Sequence, residues 1–491
     1  MRIDKLGAIL LFGIAAACPA AAFGQQAEKP RAREASPDSA HAAVDSAATR
    51  NRAADPHAGH AMPTAPPRTR ANETPPDAHA GMDHGAGGEM EHGGMLAVPL
   101  AGGWRLLGMA QVYPIVTGTF PGDGDHPLHD TEAYLTQPAA MLNLESPGAR
   151  VVLRGTLNFE ALTQEDGELT FGGWGEGFID RRHPHTLVHE LMLSANLWKV
   201  AGGAVSVSAG KGFAPYGTDD PMSRPAAKYP TNHHLSQILE RWTVNGAWLA
   251  GGWSVEAGIF GGAEPSGPYD FSNLESFGDS WSARLAKRFG GRGTGAPWEL
   301  SASYGSVAET HHGEKERTAL YNAAARHAGR YAFGGLYALA EASLADGRGG
   351  DDFWSLLAET ELALGRHRPY YRVELAARPE YAREGLPGEP GFFRYHHDDD
   401  PVGASRWTIH TLGYGFDLPG REVTTRPFVE AQLNNVRRER GVFDLESVYG
   451  RGAFWSLTAG FRMYFGGGPM RMGSYGVLDD MTTRHRPPGG S

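Results

Sequence analysis

Across residues 104–465, apolar side chains recur at every second position, in short runs separated by Gly, Pro, Asp and Asn. A period of two belongs to a β-strand, whose successive side chains leave on opposite faces. In 242–248, Thr243, Asn245 and Ala247 share one face, and Trp242, Val244, Gly246 and Trp248 the other. In 254–260, Val255, Ala257 and Ile259 oppose Ser254, Glu256, Gly258 and Phe260; in 190–197, Glu190, Met192, Ser194 and Asn196 oppose Leu191, Leu193, Ala195 and Leu197. One face is apolar and the other polar or small, as in a wall between lipid and a watery lumen.

The connections between runs are asymmetric. Ser146-Pro147-Gly148, Ala201-Gly202-Gly203, Ala250-Gly251-Gly252 and Leu418-Pro419-Gly420 read as tight turns, whereas 213–233, 261–279 and 379–404 are long, charged and proline-bearing. Tight turns at one end and long loops at the other are the layout of an outer-membrane barrel. Strands are expected near 104–116, in a hairpin over 139–162, in pairs at 186–212, 236–262, 280–307, 316–343, 352–379 and 405–435, and at 453–465. The expected fold is all-β, an antiparallel transmembrane β-barrel of about 14–16 strands. A secreted β-sandwich or β-solenoid is the competing reading.

Composition agrees: 67 glycines, 10% aromatic and 41% hydrophobic residues suit many strands joined by turns. Residues 1–24 read as a signal peptide, with Arg2 and Lys5 before an apolar run and small residues before Gln25. Beyond it no apolar stretch of about 18 residues occurs, so any membrane crossing falls to strands. The one cysteine, Cys18, lies in that segment, so its removal would leave neither a disulfide framework nor thiolate ligands. A net charge of −11 offers no basic footprint for nucleic acid.

Residues 25–100 contain no Phe, Tyr or Trp, and are expected to form a disordered leader, since such a segment buries too little apolar area to offset ordering. The barrel would occupy 101–466, and 467–491 would be a C-terminal tail. Histidine and methionine nonetheless concentrate in the leader: His57, His60, Met62, His79, Met82, His84, Met90, His92 and Met95. Thioethers select Cu(I) and imidazoles serve Cu(II) and Zn(II), so these nine residues are candidate ligands for copper. No cofactor is obligatory on this reading, and the bland alternative is a Gly/Ala-rich spacer.

Two further clusters lie in the barrel region. Asp180, Arg181, His183 and His185 precede His189 and Glu190. In an extended chain His183, His185 and His189 share one parity and Glu190 the other, placing Glu190 in the lumen and His185 and His189 near the membrane boundary. The segment 210–235 carries Lys211, Asp219, Asp220, Met222, Arg224, Lys228, His233 and His234. Such a loop either folds inward and narrows the pore or sits at the rim with internal ion pairs. For both clusters a structural role competes with metal handling or permeation. His126 with His129, His311 with His312, and His396 to Asp400 read as solvated loops. No Gly-x-Ser-x-Gly, His-Glu-x-x-His or Walker pattern appears, and the chain is not read as an enzyme.

At 180–193, DRRHPHTLVHELML, and 210–240, GKGFAPYGTDDPMSRPAAKYPTNHHLSQILE, the chain resembles a group of poorly characterised bacterial outer-membrane barrels associated with metal, particularly copper, resistance. Its layout, a Met/His-rich leader before a barrel, is similar to the copper-resistance protein B family, although the barrel motifs differ. The resemblance implies an outer-membrane location with the leader in the periplasm, and partners comprising lipid, metal ions and periplasmic metal-handling proteins. The functional expectation is copper or other soft-metal handling, with the leader binding metal and the barrel giving a passive route or docking point. The alternatives are a general porin-like channel with a spacer leader, or a structural or adhesin barrel. Titration of Cu(I), Cu(II) and Zn(II) into a peptide spanning 55–96 is expected to show saturable Cu(I) binding well above Zn(II). No binding in the range of about a micromolar would reduce the leader to a spacer.

Overall fold

The computed structural model describes residues 96–120, 131–163, 185–290, 297–347, 352–380, 403–441, 449, 452–466 and 471–479, apart from positions 201, 219, 232, 266, 272, 273, 275, 312, 313, 421 and 422. The signal segment and all nine candidate leader ligands lie outside the described residues, as do Asp180, Arg181, His183 and Asp219.

The described chain forms one antiparallel sheet of eighteen strands, β1 (Leu96–Pro99), β2 (Arg105–Phe120), β3 (Thr131–Glu145), β4 (Val151–Asn158), β5 (Val188–Val200), β6 (Gly203–Gly212), β7 (Arg241–Ala250), β8 (Trp253–Gly261), β9 (Phe277–Phe289), β10 (Trp298–His311), β11 (Glu314–Tyr331), β12 (Gly334–Asp346), β13 (Asp352–Ala363), β14 (His367–Glu380), β15 (Gly403–Phe416), β16 (Leu418–Pro419), β17 (Val423–Gly441) and β18 (Ala453–Phe465). Two of these, β1 and β16, are short pieces, leaving sixteen in the ring. The ring closes through β18 on β2, with Phe465 opposite Ala110 and Trp455 opposite Phe120. Where β18 ends, β1 takes over the same edge of β2, pairing Leu96 with Gly108 and Pro99 with Arg105.

The alternation read from the sequence is the wall itself. Leu193, Leu197, Val207, Val255, Ile259, Leu412 and Leu457 face outward and stay exposed, while Ser194, Asn196, Ser208, Glu256, Thr411 and Ser456, on the opposite parity, are buried. A soluble protein would reverse that pattern. Exposed aromatics mark both rims: Trp253, Phe289, Trp298, Tyr331, Phe333, Tyr414 and Phe465 at the end with tight turns, and Phe120, Phe277, Trp281 and Trp455 at the other. Such girdles flank the apolar band of a membrane barrel. The tight turns use Gly148, Gly202 and Gly251 at positive φ, which glycine adopts without a Cβ clash.

One strand begins earlier than the pattern predicts. The expected hairpin starts at 139, yet β3 runs from Thr131 straight through Pro138. Gln137 takes φ 49°, and the pairing with β2 shifts register between Gln111 and Tyr113. The irregularity absorbs the proline, which gives the ladder no N–H.

Leu193, near the middle of β5, is 53% exposed on the lipid face. Leu193→Arg is expected to destabilise the barrel by about 2–4 kcal/mol in vesicle-based denaturant unfolding, as for a cation at the bilayer midplane. A substitution costing nothing there would contradict the assigned faces.

Candidate functional site

The chain between β6 and β7, residues 213–240, belongs to the end with long loops but turns into the barrel. Most of its residues are buried, and they bond to strands around much of the wall. Gly217 N–H donates to Ser303 Oγ on β10 (2.9 Å), Thr218 to Glu341 on β12, and Thr231 N–H to Glu374 on β14 (2.6 Å). Ala227 N–H donates to Glu430 on β17 (2.5 Å). In return, Arg462 of β18 donates to the carbonyls of Pro225 (2.7 Å) and Arg224 (2.9 Å), and Arg372 of β14 to that of Lys228 (2.8 Å).

The Pro-Met-Ser-Arg-Pro stretch becomes a short 3₁₀ turn capped by Asp220, whose Oδ1 accepts from Met222 N–H at 2.8 Å. Arg224 then reaches Glu341 at 3.4 Å and Glu359 at 4.0 Å. Of the two readings of this loop, the structure shows the inward fold.

A second segment enters from the opposite end. Residues 471–479 follow β18 and return inside the wall. Arg471 pairs with Glu299 (2.8 Å) and Asp479 with Arg154 (2.7 Å). Tyr475 Oη donates to Glu190 (2.7 Å) and accepts from Phe213 N–H (2.9 Å). The two inserted segments therefore meet at Phe213 and Tyr475.

His185, Glu190, Asp220, His233 and His234 fall in this sector, whereas Arg224 points to the β12–β13 wall. The expected faces of the histidines need correction. His189 and Glu190 are both buried inside, at 0% and 1% exposure, and His185 is buried beside them rather than at the membrane boundary. The cause is a bulge: Thr156 pairs with Glu190 but Leu157 with Val188, which leaves His189 as an extra residue. A bulge of this kind turns two consecutive side chains to one side.

Each imidazole is fixed by a carboxylate that sequence reasoning did not single out. His185 Nδ1 donates to Glu160 Oε2 (2.6 Å) and His189 Nδ1 to Glu240 Oε1 (2.7 Å). The rings of His185 and His189 lie 5.1 Å apart, edge to face, and that of His233 lies 6.5 Å from His185 and stacks on Tyr229. Burial opposes ionisation of Glu240, but the hydrogen bond from His189, with His185 and Lys211 nearby, outweighs it and pulls the carboxyl down to about 2. Among the described residues no group of three or more His, Cys, Asp or Glu could hold a metal ion. The signal that could have exposed the lumen network was parity: Arg372 and Glu374 share one face of β14, between the apolar Tyr371 and Val373.

No family model and no curated protein matches the chain. Solved structures similar to it include OmpT of Vibrio cholerae with loop L8 deleted, at 12% identity over 74% of this chain and 99% of that one, TM-score 0.43. The anion-selective porin from Comamonas acidovorans is 12% identical over 74% and 99%, TM-score 0.41. The channel DcaP of Acinetobacter baumannii is 10% identical over 75% and 99%, TM-score 0.43.

Lys228 is 1% exposed and donates to Ser456 Oγ (2.6 Å) and Gln432 Oε1 (3.3 Å). Burial pushes its ammonium down to about 7, against the pull of Glu430. An unfolded lysine keeps its proton up to about 10.4. The unfolded state thus binds more protons between these values, and stability should rise with pH from about 7 to about 10. Below about 7 the lysine is charged in both states and this contribution is absent. Denaturant midpoints at pH 6, 7.5 and 9 should show the rise in the parent, and Lys228→Met should flatten it.

Proposed function

We propose that this protein is a porin-like channel of the bacterial outer membrane whose conduit is restricted by the two segments inserted in its lumen. The carrying observation is the burial of wall residues that face inward. In a sixteen-stranded barrel with an open aqueous channel, such side chains would be wet. Here Arg372, Arg426 and Arg462 are each 1% exposed, and the inserted 213–240 segment lies against them or their neighbours. Their charges are met by Glu359, Asp417, Glu361 and loop carbonyls, which makes the filling an ordered part of the wall.

Solutes passing such an interior would be small and polar. Arg224, Arg372 and Arg462, interleaved with Glu341, Glu359, Glu374 and Glu430, would give the interior around the passage a mixed charge.

The leader is proposed to lie in the periplasm. Leu96–Pro99 pairs with the first residues of β2, near the end with tight turns, the periplasmic end in bacterial barrels. Nine of its ten histidines and methionines, all but His41, cluster between 57 and 95 and support copper capture there, in line with the motif resemblance to metal-resistance barrels.

Planar-bilayer recording tests the channel reading. The parent should give small unitary conductance, and replacing 218–235 by a short Gly/Ser linker should raise it several-fold, because loop anchors and bulk are lost together. Absence of conductance in both proteins would favour a structural or adhesin barrel.

A further inference from the structure

Methionine is distributed unevenly in the barrel. Of the six methionines among the described residues, Met109, Met141, Met192, Met222 and Met472 are buried together in one cluster inside the wall, with Ala139, Phe213, Leu239 and Tyr475. They come from five segments: β2, β3, β5, the inward loop and the returning tail. Hydrophobic packing does not call for this residue type. Leucine and methionine exchange in cores at a cost usually under about 1.5 kcal/mol, and β3 and β5 use leucine on their lipid face beside these methionines. Leu191 and Leu193 flank Met192, and Leu142 follows Met141. The thioethers are thus gathered in one place inside the wall, where leucine occurs as well, at Leu107 on the Met109 face of β2 and at Leu239 within the cluster.

A second observation points to a ligand. His189 is 0% exposed, and its Nε2 is buried without a hydrogen-bond partner in the structure. An imidazole nitrogen left in that state costs free energy unless something occupies it. Its ring stands edge to face against Phe213 of the methionine cluster, centroids 5.4 Å apart. Its Nδ1 is held by Glu240, the arrangement that orients metal-binding imidazoles. The bulge at His189 is what brings this ring inward at all.

We propose that the methionine cluster with His189 at its edge is a binding site for a soft monovalent cation, Cu(I) or Ag(I). Thioether donors favour such ions over Zn(II). No three His, Cys, Asp or Glu side chains among the described residues form a harder ligand set, so sulfur carries the coordination. Glu190, on the same face of β5 as Met192, and Glu240 supply compensating negative charge nearby. Met222 and Met472 belong to the two inserted segments, so an ion held here would tie loop and tail to the wall. The inference is independent of whether the lumen conducts: a conducting barrel without the site overturns this inference alone, and a non-conducting barrel with the site overturns only the channel.

The test uses the full chain in detergent with the nine leader ligands replaced by Ser or Ala, and Ag(I) as an oxidation-stable probe. Equilibrium dialysis should show about one Ag(I) per chain, displaced by Cu(I) and not by Zn(II), with sulfur neighbours in X-ray absorption. The variant Met192→Leu, Met222→Leu, Met472→Leu should bind at least roughly tenfold more weakly, a threshold of about 1.4 kcal/mol. Circular dichroism and heat-modifiable gel mobility would report its folding. Should it fold poorly, Met222→Leu and Met472→Leu singly, both outside the wall strands, should each weaken binding several-fold. Failure of the leader-silenced barrel to bind Ag(I), or undiminished binding by folded Met→Leu variants, would overturn the proposal.

Discussion

Closure of the sheet is the constraint from which the rest of this molecule follows. Hydrocarbon offers no partner to a free N–H or C=O, so a strand wall in a membrane must pair every edge. The β18–β2 contact does this over Ala110–Phe120, and β1 continues it where β18 stops. Once sixteen strands close, the polar parity of each strand faces a space too wide for wall side chains alone to fill. Two chain segments enter that space. Their backbone groups then have to be satisfied inside, which is why Arg462, Arg372, Glu374 and Glu430 bond to loop amides and carbonyls as well as to one another.

The filling is polar and charged, and this shapes its energetics. Burying an ion costs several kcal/mol even when a partner is found. Arg426 illustrates the compensation, lying between Asp417 at 2.6 Å and Glu361 at 3.2 Å. Removing one member of such a set leaves a buried charge uncompensated, so these ladders specify a single seating of the loop more than they add net stability. Lys228 is the exception in kind: its contacts are the neutral Ser456 and Gln432, and burial makes the neutral amine accessible near physiological pH.

The wall was legible from sequence because lipid imposes the period of two on every strand. Leu191, Leu193 and Leu197 against Ser194 and Asn196 could be assigned to faces without a structure, and β18 was located at its observed ends, 453–465. What escaped was irregularity. The hairpin expected from 139 missed the first part of β3, because a bulge that accommodates Pro138 leaves no mark in the pattern, and simple alternation put His189 and Glu190 on opposite faces. The partners Glu160 and Glu240 escaped for another reason, since contacts 25 and 51 residues apart follow from how the loop seats, not from local spacing. Returning residues 471–479 gave no periodic signal, being too short for one.

These irregular features coincide in space. The bulge lies on β5 opposite β4; the inward loop brings Phe213 and Met222 to the same stretch of wall, and the tail brings Met472 and Tyr475. Elsewhere the inserted loop is held by direct bonds to Arg and Glu ladders, a mode of attachment that needs only regular strands. Along β4 to β6 it is held by the methionine cluster, by the bond of His189 to Glu240 and by a shared tyrosine hydroxyl that links Glu190 to Phe213. A barrel that needed only to be plugged could have used ladders throughout. Loop, tail and wall also meet at Arg284 of β9, which donates to the carbonyls of Gly217 and Gly473 and pairs with Glu256, so the methionine sector differs from that junction in its soft side chains and in the bulge that turns His189 inward.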